Sequence, residues 1–232
     1  MKKSVFIPSA LLKRVVMVAA ACTLVGCAVP KEPFDYSAFR EAKPRSILVL
    51  PPINKSPAVQ GTYGLLAHTT MPLAEGGYYV LPVTLVNETF RENGLTIADE
   101  IHAVPTQKLR EIFGADAVLY LTITQYGTRY QVLQSVTEVS AEARLVSLVT
   151  GKELWHGKAS ASSAEQQQTG NGLLGMLITA ALNQVVNTAT DQGFNYARIT
   201  SNRLLLPKPN GLLYGPYHPQ HGTEGDEAGA KP

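Results

Sequence analysis

From Ala117 to Val132 the sequence alternates apolar and polar residues with a period of two, and no helix can be laid over that pattern. Ala117, Leu119, Leu121 and Ile123 fall on one side of the segment. Tyr120, Thr122, Thr124, Tyr126, Thr128 and Tyr130 fall on the other. A second β segment, Val136 to Val149, follows. Thr150-Gly151 is a hairpin turn, and Glu153 to Ala161 returns as a third strand, which makes an antiparallel meander. On that third strand Trp155, Gly157, Ala159 and Ala161 share a face, so the sole tryptophan is expected to plug the core while His156 faces solvent. Glu138 and Glu142 are expected on a common solvent face.

The first half of the chain has a different rhythm. Ser46 to Leu50 is an unbroken apolar run stopped by Pro51-Pro52, the pattern of a strand buried on both faces. Residues 59, 63, 66, 67 and 71 have helical spacing within Val59 to Glu75, despite Gly61, Gly64 and Pro72, and Gly76-Gly77 ends the helix. A strand over Tyr78 to Val83 and a helix over Thr84 to Asn93 come next. A further helix, Thr106 to Phe113, is framed by Pro105 and Gly114. Strands and helices mixed in this order, ahead of the meander, predict an α/β fold with an α+β tendency. One domain, residues 46–206, would hold a mixed sheet with helices on at least one face. Ser160 to Asn171 reads as a loop, Leu173 to Ala189 as a helix apolar on most sides, and Phe194 to Leu206 as the last helix. Residues 207–232 carry five Pro and five Gly and are expected to be a disordered tail.

The N-terminus predicts where the protein resides. Residues 1–26 hold Lys2, Lys3, Lys13 and Arg14 and no acid, and Val15 to Leu24 is apolar apart from Cys22 and Thr23. A basic start followed by about ten apolar residues is a secretory signal, too short for a membrane span of about 20 residues. It ends Leu24-Val25-Gly26-Cys27, the pattern of a bacterial lipobox, so Cys27 is expected to be lipidated and to become the mature N-terminus. Once residues 1–26 are removed, 206 residues remain, with 16 of the 20 Lys and Arg and all 18 Asp and Glu, a formal charge of −2. That balance argues against nucleic acid as a partner. Cys22 leaves with the signal and Cys27 carries lipid, so no thiol remains for a disulfide, a metal or a nucleophile. Ala28 after the cysteine favours the outer membrane over retention in the inner one. Residues 27–45 read as a tether with a short helical turn around Tyr36 to Glu41.

No arrangement of chemistry-bearing residues stands out. His68, His102, His156, His218 and His221 form no H-E-x-x-H pair, and there is no G-x-S-x-G elbow. Gly170-Asn-Gly172-Leu-Leu-Gly175 matches a dinucleotide motif by letters, but a polar Ser/Gln loop precedes it where a strand is required. We therefore expect no catalytic residue, no metal and no cofactor. Two features admit a contact reading beside an ordinary one: the tyrosine face with Tyr120, Tyr126 and Tyr130, otherwise a sheet face covered by helices or solvent, and the Leu173–Ala189 helix, otherwise a core helix. On that helix Met176 and Ala180 lie off the main apolar stripe, as residues at a homodimer contact would.

Four stretches are familiar together: Arg45-Ser-Ile-Leu-Val-Leu-Pro-Pro-Ile-Asn54, Gly77-Tyr-Tyr-Val-Leu-Pro82, Ile112-Phe-Gly-Ala-Asp-Ala-Val-Leu-Tyr-Leu121 and Leu148-Val-Thr-Gly-Lys-Glu-Leu-Trp155. They resemble a family of bacterial lipoproteins of unknown function, known from a neisserial antigen, over roughly Phe34 to Leu206. More remotely, the pattern is similar to periplasmic α/β domains of the curli-secretion lipoprotein, of lipoprotein activators of peptidoglycan synthases and of the N-terminal part of TolB. The resemblance implies a binding or assembly module and brings no catalytic motif with it. The expectation is an outer-membrane lipoprotein facing the periplasm, anchored by its lipid and acting on other envelope proteins. The competing expectation is a periplasmic hydrolase of an envelope polymer, which would need ionisable residues gathered in one cleft.

Overall fold

The computed structural model describes residues 34–130, 135–167, 192–206 and 211–223. The signal segment, Cys27, the glycine motif at 170–175 and the Leu173–Ala189 helix with Met176 and Ala180 lie outside the described residues.

Strand β1 (Ser46–Val49) is central, as its unbroken apolar run requires: Ile47, Leu48 and Val49 are all buried. It pairs in parallel with β3 (Tyr79–Val80) on one side and with β4 (Ala117–Tyr130) on the other. The short β2 (Ile53–Asn54) also runs parallel to β4, further along it. β4, β5 (Ser135–Ser147) and β6 (Glu153–Ser162) form the antiparallel meander, with Thr150-Gly151 in the turn between the last two. The result is a six-stranded mixed sheet in the order β3-β1-β4-β5-β6, an α/β fold in one domain.

Helices cover both faces. On one face lie α2 (Gly61–Glu75), α7 (Gln192–Leu205) and Phe39 of α1 (Ser37–Ala42), packed over Val49, Leu119, Leu121, Leu145 and Trp155. On the other, α3 (Val83–Glu92), α4 (Ala98–His102) and α5 (Thr106–Phe113) pack over Leu48, Val118, Tyr120 and Val146. This second layer stops short of the far edge, so Glu142, Arg144, His156 and Lys158 of β5 and β6 meet solvent, as the alternation requires. Trp155 is 1% exposed, the core plug expected of it. A four-residue helix, α6 (Ala164–Gln167), follows β6 inside the stretch expected to be loop; its Glu165 pairs with Arg203 of α7 at 2.7 Å. Among the described residues no helix is long and apolar enough to cross a membrane.

Three expectations are corrected. First, the domain begins at Phe34, well before Ser46. Phe39 is buried in the main core, and the Tyr36 hydroxyl donates to the Gly211 carbonyl. Six residues therefore separate Cys27 from Phe34, seven Cα steps with a reach of at most about 25 Å. Second, Tyr120 does not share a face with Tyr126 and Tyr130. The register slips between Ile123 and Gln125, so Thr124 is an extra residue and every side chain beyond it swaps sides. Third, part of the expected tail docks on the domain, through residues 211–218. Leu212 is buried in the core, Gly215 N–H donates to the Gly76 carbonyl at 2.7 Å, and the Tyr78 hydroxyl donates to the Leu213 carbonyl at 2.6 Å. Close approach makes this possible: a Cβ on Gly215 would lie 2.3 Å from the Gly77 oxygen, and one on Gly77 would lie 2.4 Å from the His218 nitrogen.

The bulge turns Tyr126 inward against α2, where Gly61 and Gly64 leave room for its ring. A Cβ on Gly64 would sit 2.2 Å from the Tyr126 hydroxyl oxygen. Gly64→Ala should therefore destabilise the domain by about 2–3 kcal/mol through overpacking. Adding Tyr126→Phe should recover part of that loss, because it removes the nearest clashing atom. Urea midpoints of the two variants test this, and equal midpoints for Gly64→Ala and wild type would contradict the contact.

Candidate functional site

The tyrosine face divides into three separate environments. Tyr120 is buried on the α3–α5 side, with His102 edge-on at 5.2 Å and the Arg144 guanidinium 5.1 Å above its ring. Burial raises the pKa of its hydroxyl, with Arg144 pulling the other way. The neighbouring His102 donates from Nε2 to the Pro51 carbonyl at 2.9 Å in the tautomer this contact selects. Burial lowers the pKa of His102 against that bond. Tyr126 is buried on the opposite side, under α2. Only Tyr130 is open, 80% exposed at the end of β4. Tyr120 and Tyr126 are thus core residues, and no common contact surface joins the three.

Two other features take the place of that surface. The first is the outer ridge of α2. Tyr63 and Met71 are 70% and 65% exposed, the exposed Ala67 lies between them at four-residue spacing, and Val59, in the turn before the helix, extends the row at 83% exposure. Residues four apart form one ridge of a helix, the element that packs into the groove of a neighbouring helix. The opposite side of α2 is already buried through Leu65, Leu66 and Leu73, so this helix is apolar on two sides. The spacing of residues 59, 63, 67 and 71 is visible in the sequence, but spacing alone does not separate a core-facing row from an exposed one.

The second feature is a cavity of about 670 Å³ between the end of α1 and the C-terminal segment. Its apolar wall includes Phe39, Tyr78 and Leu213, and its cationic wall is Arg40, Lys43 and Arg45. Among the described residues no Asp or Glu lines it. Lys43 caps α1 in the left-handed conformation at φ 43°, the one described non-glycine residue with positive φ. Its N–H donates to the Phe39 carbonyl at 3.0 Å, which is how such caps satisfy a helix end. Behind the wall, Asp116 accepts from the backbone N–H groups of Arg45 at 3.0 Å and Ser46 at 3.2 Å, and approaches Arg45 Nε at 3.5 Å. Burial alone would raise the pKa of Asp116, but those donors and Arg45 together hold it below the usual carboxylate value. Arg40 and Lys43 make no ion pair within 4.0 Å among the described residues, although Asp35 feels Arg40 at longer range. The cavity was not foreseeable from the chain, since its walls come from a presumed tether and a presumed tail. Leu212-Leu213-Tyr214, an apolar cluster inside Pro/Gly-rich surroundings, was the one available hint.

Among the described residues no three His, Cys, Asp or Glu side chains gather closely enough to hold a metal ion.

A family model described as "Putative lipoprotein GNA1162-like" matches residues 34–217. The match starts where the folded domain starts and runs into the docked C-terminal segment. A "Putative lipoprotein" of Neisseria meningitidis serogroup B is 54% identical over 200 residues, covering 85% of this chain and 93% of that protein. Among solved structures, that of lipoprotein GNA1162 from Neisseria meningitidis is 57% identical, with a TM-score of 0.50 over 62% of this chain and 99% of that one. The C-terminal domain of LpoB from Salmonella enterica is 17% identical, with a TM-score of 0.37 over 51% and 84% of the two chains. A likeness that distant carries nothing further.

Proposed function

The chain belongs to the family of GNA1162-like lipoproteins, and on that premise we propose that it is an outer-membrane lipoprotein, anchored through lipid on Cys27, that serves on the periplasmic side as an interaction or assembly factor and not as an enzyme. The observation that carries this reading is the α2 ridge. Large apolar side chains open to water at four-residue spacing suit a protein partner, and they do nothing for the stability of the domain alone. The short reach from Cys27 to Phe34 supports it, because a domain held within about 25 Å of its anchor meets partners at the membrane surface. A second copy, joined through Leu173–Ala189 with Met176 and Ala180 at the contact, forms part of the same proposal. The tyrosine face does not, apart from the exposed Tyr130.

The test is the double variant Tyr63→Glu/Met71→Glu. Both side chains are exposed, so the melting temperature should stay within a few degrees of wild type. Protein solubilised gently from native envelopes should migrate as a larger complex when wild type and at its free size when doubly substituted. Unchanged migration would remove the ridge from the proposal.

A further inference from the structure

We propose that the cavity between α1 and the C-terminal segment binds a single-chain anionic amphiphile, a molecule with one carboxylate or phosphate head and one apolar tail. The head would lie against Arg40, Lys43 and Arg45, and the tail against Phe39, Tyr78 and Leu213.

Charge is the first reason. Three cations stand within six residues on one wall, and no described carboxylate shares the cavity with them. Asp116, behind the wall, accepts from two backbone N–H groups and pairs with Arg45, the one cation of the three with an ion pair within 4.0 Å among the described residues. A wall with this excess of positive charge attracts an anion. Conformation is the second reason. Glycine is the ordinary residue at a left-handed helix cap, yet Lys43 holds that position, immediately before Pro44, and lines the cavity. Strain of that kind persists where surrounding structure or function sustains it. Size is the third reason. A volume of about 670 Å³ is in the range of small-molecule sites. An α-helix about 10–12 Å across would fill it with little more than one turn, so a docking helix is a poor occupant. A tail seated on one phenylalanine, one tyrosine and one leucine, with an anion at the rim, uses both walls.

The inference stands on the cavity and does not depend on the partner reading of α2. It is tested with the mature chain carrying Cys27→Ser, which retains every residue of the domain and takes no lipid, so that no detergent competes. Four probes are titrated calorimetrically: sodium decanoate, decyl phosphate, decanol and inorganic phosphate. Decanoate or decyl phosphate should bind at one per chain, and the stronger of the two identifies a fatty-acid or a phospholipid-derived head. Decanol and inorganic phosphate should each bind at least tenfold more weakly than the better amphiphile. Lys43→Gly removes the ammonium and supplies the residue best suited to φ 43°, so it should melt at or above the wild-type temperature while weakening amphiphile binding at least fivefold. Arg40→Ala should weaken binding similarly. Decanol binding as tightly as decanoate and decyl phosphate would overturn the proposal in favour of a plain apolar crevice. Inorganic phosphate binding as tightly would overturn it in favour of a bare anion patch. Undiminished binding in both Lys43→Gly and Arg40→Ala would place the amphiphile elsewhere and likewise overturn it.

Discussion

Cys27→Ala is expected to move the protein from the membrane fraction to the soluble periplasmic fraction and to abolish incorporation of labelled palmitate. The residue is the only cysteine left once residues 1–26 are removed, so no other thiol can take the lipid. The effect should be nearly complete. One acyl chain binds membranes only marginally, and the two or three chains of a mature lipoprotein are what make the attachment stable. Residues 27–232 carry a formal charge of −2, which gives no general attraction to anionic lipid, and among the described residues no helix is long and apolar enough to cross a membrane. Label persisting in Cys27→Ala would contradict the assignment of the anchor.

Trp155→Ala should cost about 3–5 kcal/mol, the range for truncating a large buried aromatic side chain. The indole is 1% exposed within the main core. Its fit is tight along its own strand, since a Cβ on Gly157 would lie 2.4 Å from the ring. Alanine at 155 would leave a hole bounded by the β5–β6 hairpin and the helices above it. Those elements cannot close over it without breaking the pairing of Leu145 with residue 155. Urea unfolding followed by circular dichroism measures the loss. A change below about 1 kcal/mol would mean that this side of the sheet collapses freely and is not the rigid part of the domain.

Local pattern made much of this architecture legible. The alternation over Ala117–Val132 identified a long strand, and β4 occupies Ala117–Tyr130. Pro105 and Gly114 framed a helix that forms at Thr106–Phe113. Illegible features were those decided by contacts distant in sequence or by a single residue's register. An extra residue at Thr124 leaves no mark in the alternation, because Tyr and Thr are at home on either face of a sheet. It nevertheless carries Tyr126 from the expected surface to the core. The helix Ala98–His102 is one turn long, too short for a periodicity, although Asp99 and Glu100 in its first turn favour a helix start. The C-terminal segment has the composition of a disordered tail. It is ordered because Gly76 and Gly77, more than 130 residues earlier, let its backbone approach within hydrogen-bonding distance. Composition cannot report such a contact. The cavity inherits the same opacity, since Arg40, Tyr78 and Leu213 meet only after that segment docks.

The central claim is that the outer ridge of α2 meets a partner in the envelope, and photo-crosslinking in living cells tests it most directly. A photoreactive residue is placed at position 63, with position 79 on the edge strand as the control, since Tyr63 and Tyr79 are 70% and 59% exposed. The account predicts a discrete higher-mass adduct from position 63, absent at position 79 and lost when Met71→Glu is added. Adducts equal in yield at the two positions, or none at position 63, would contradict it.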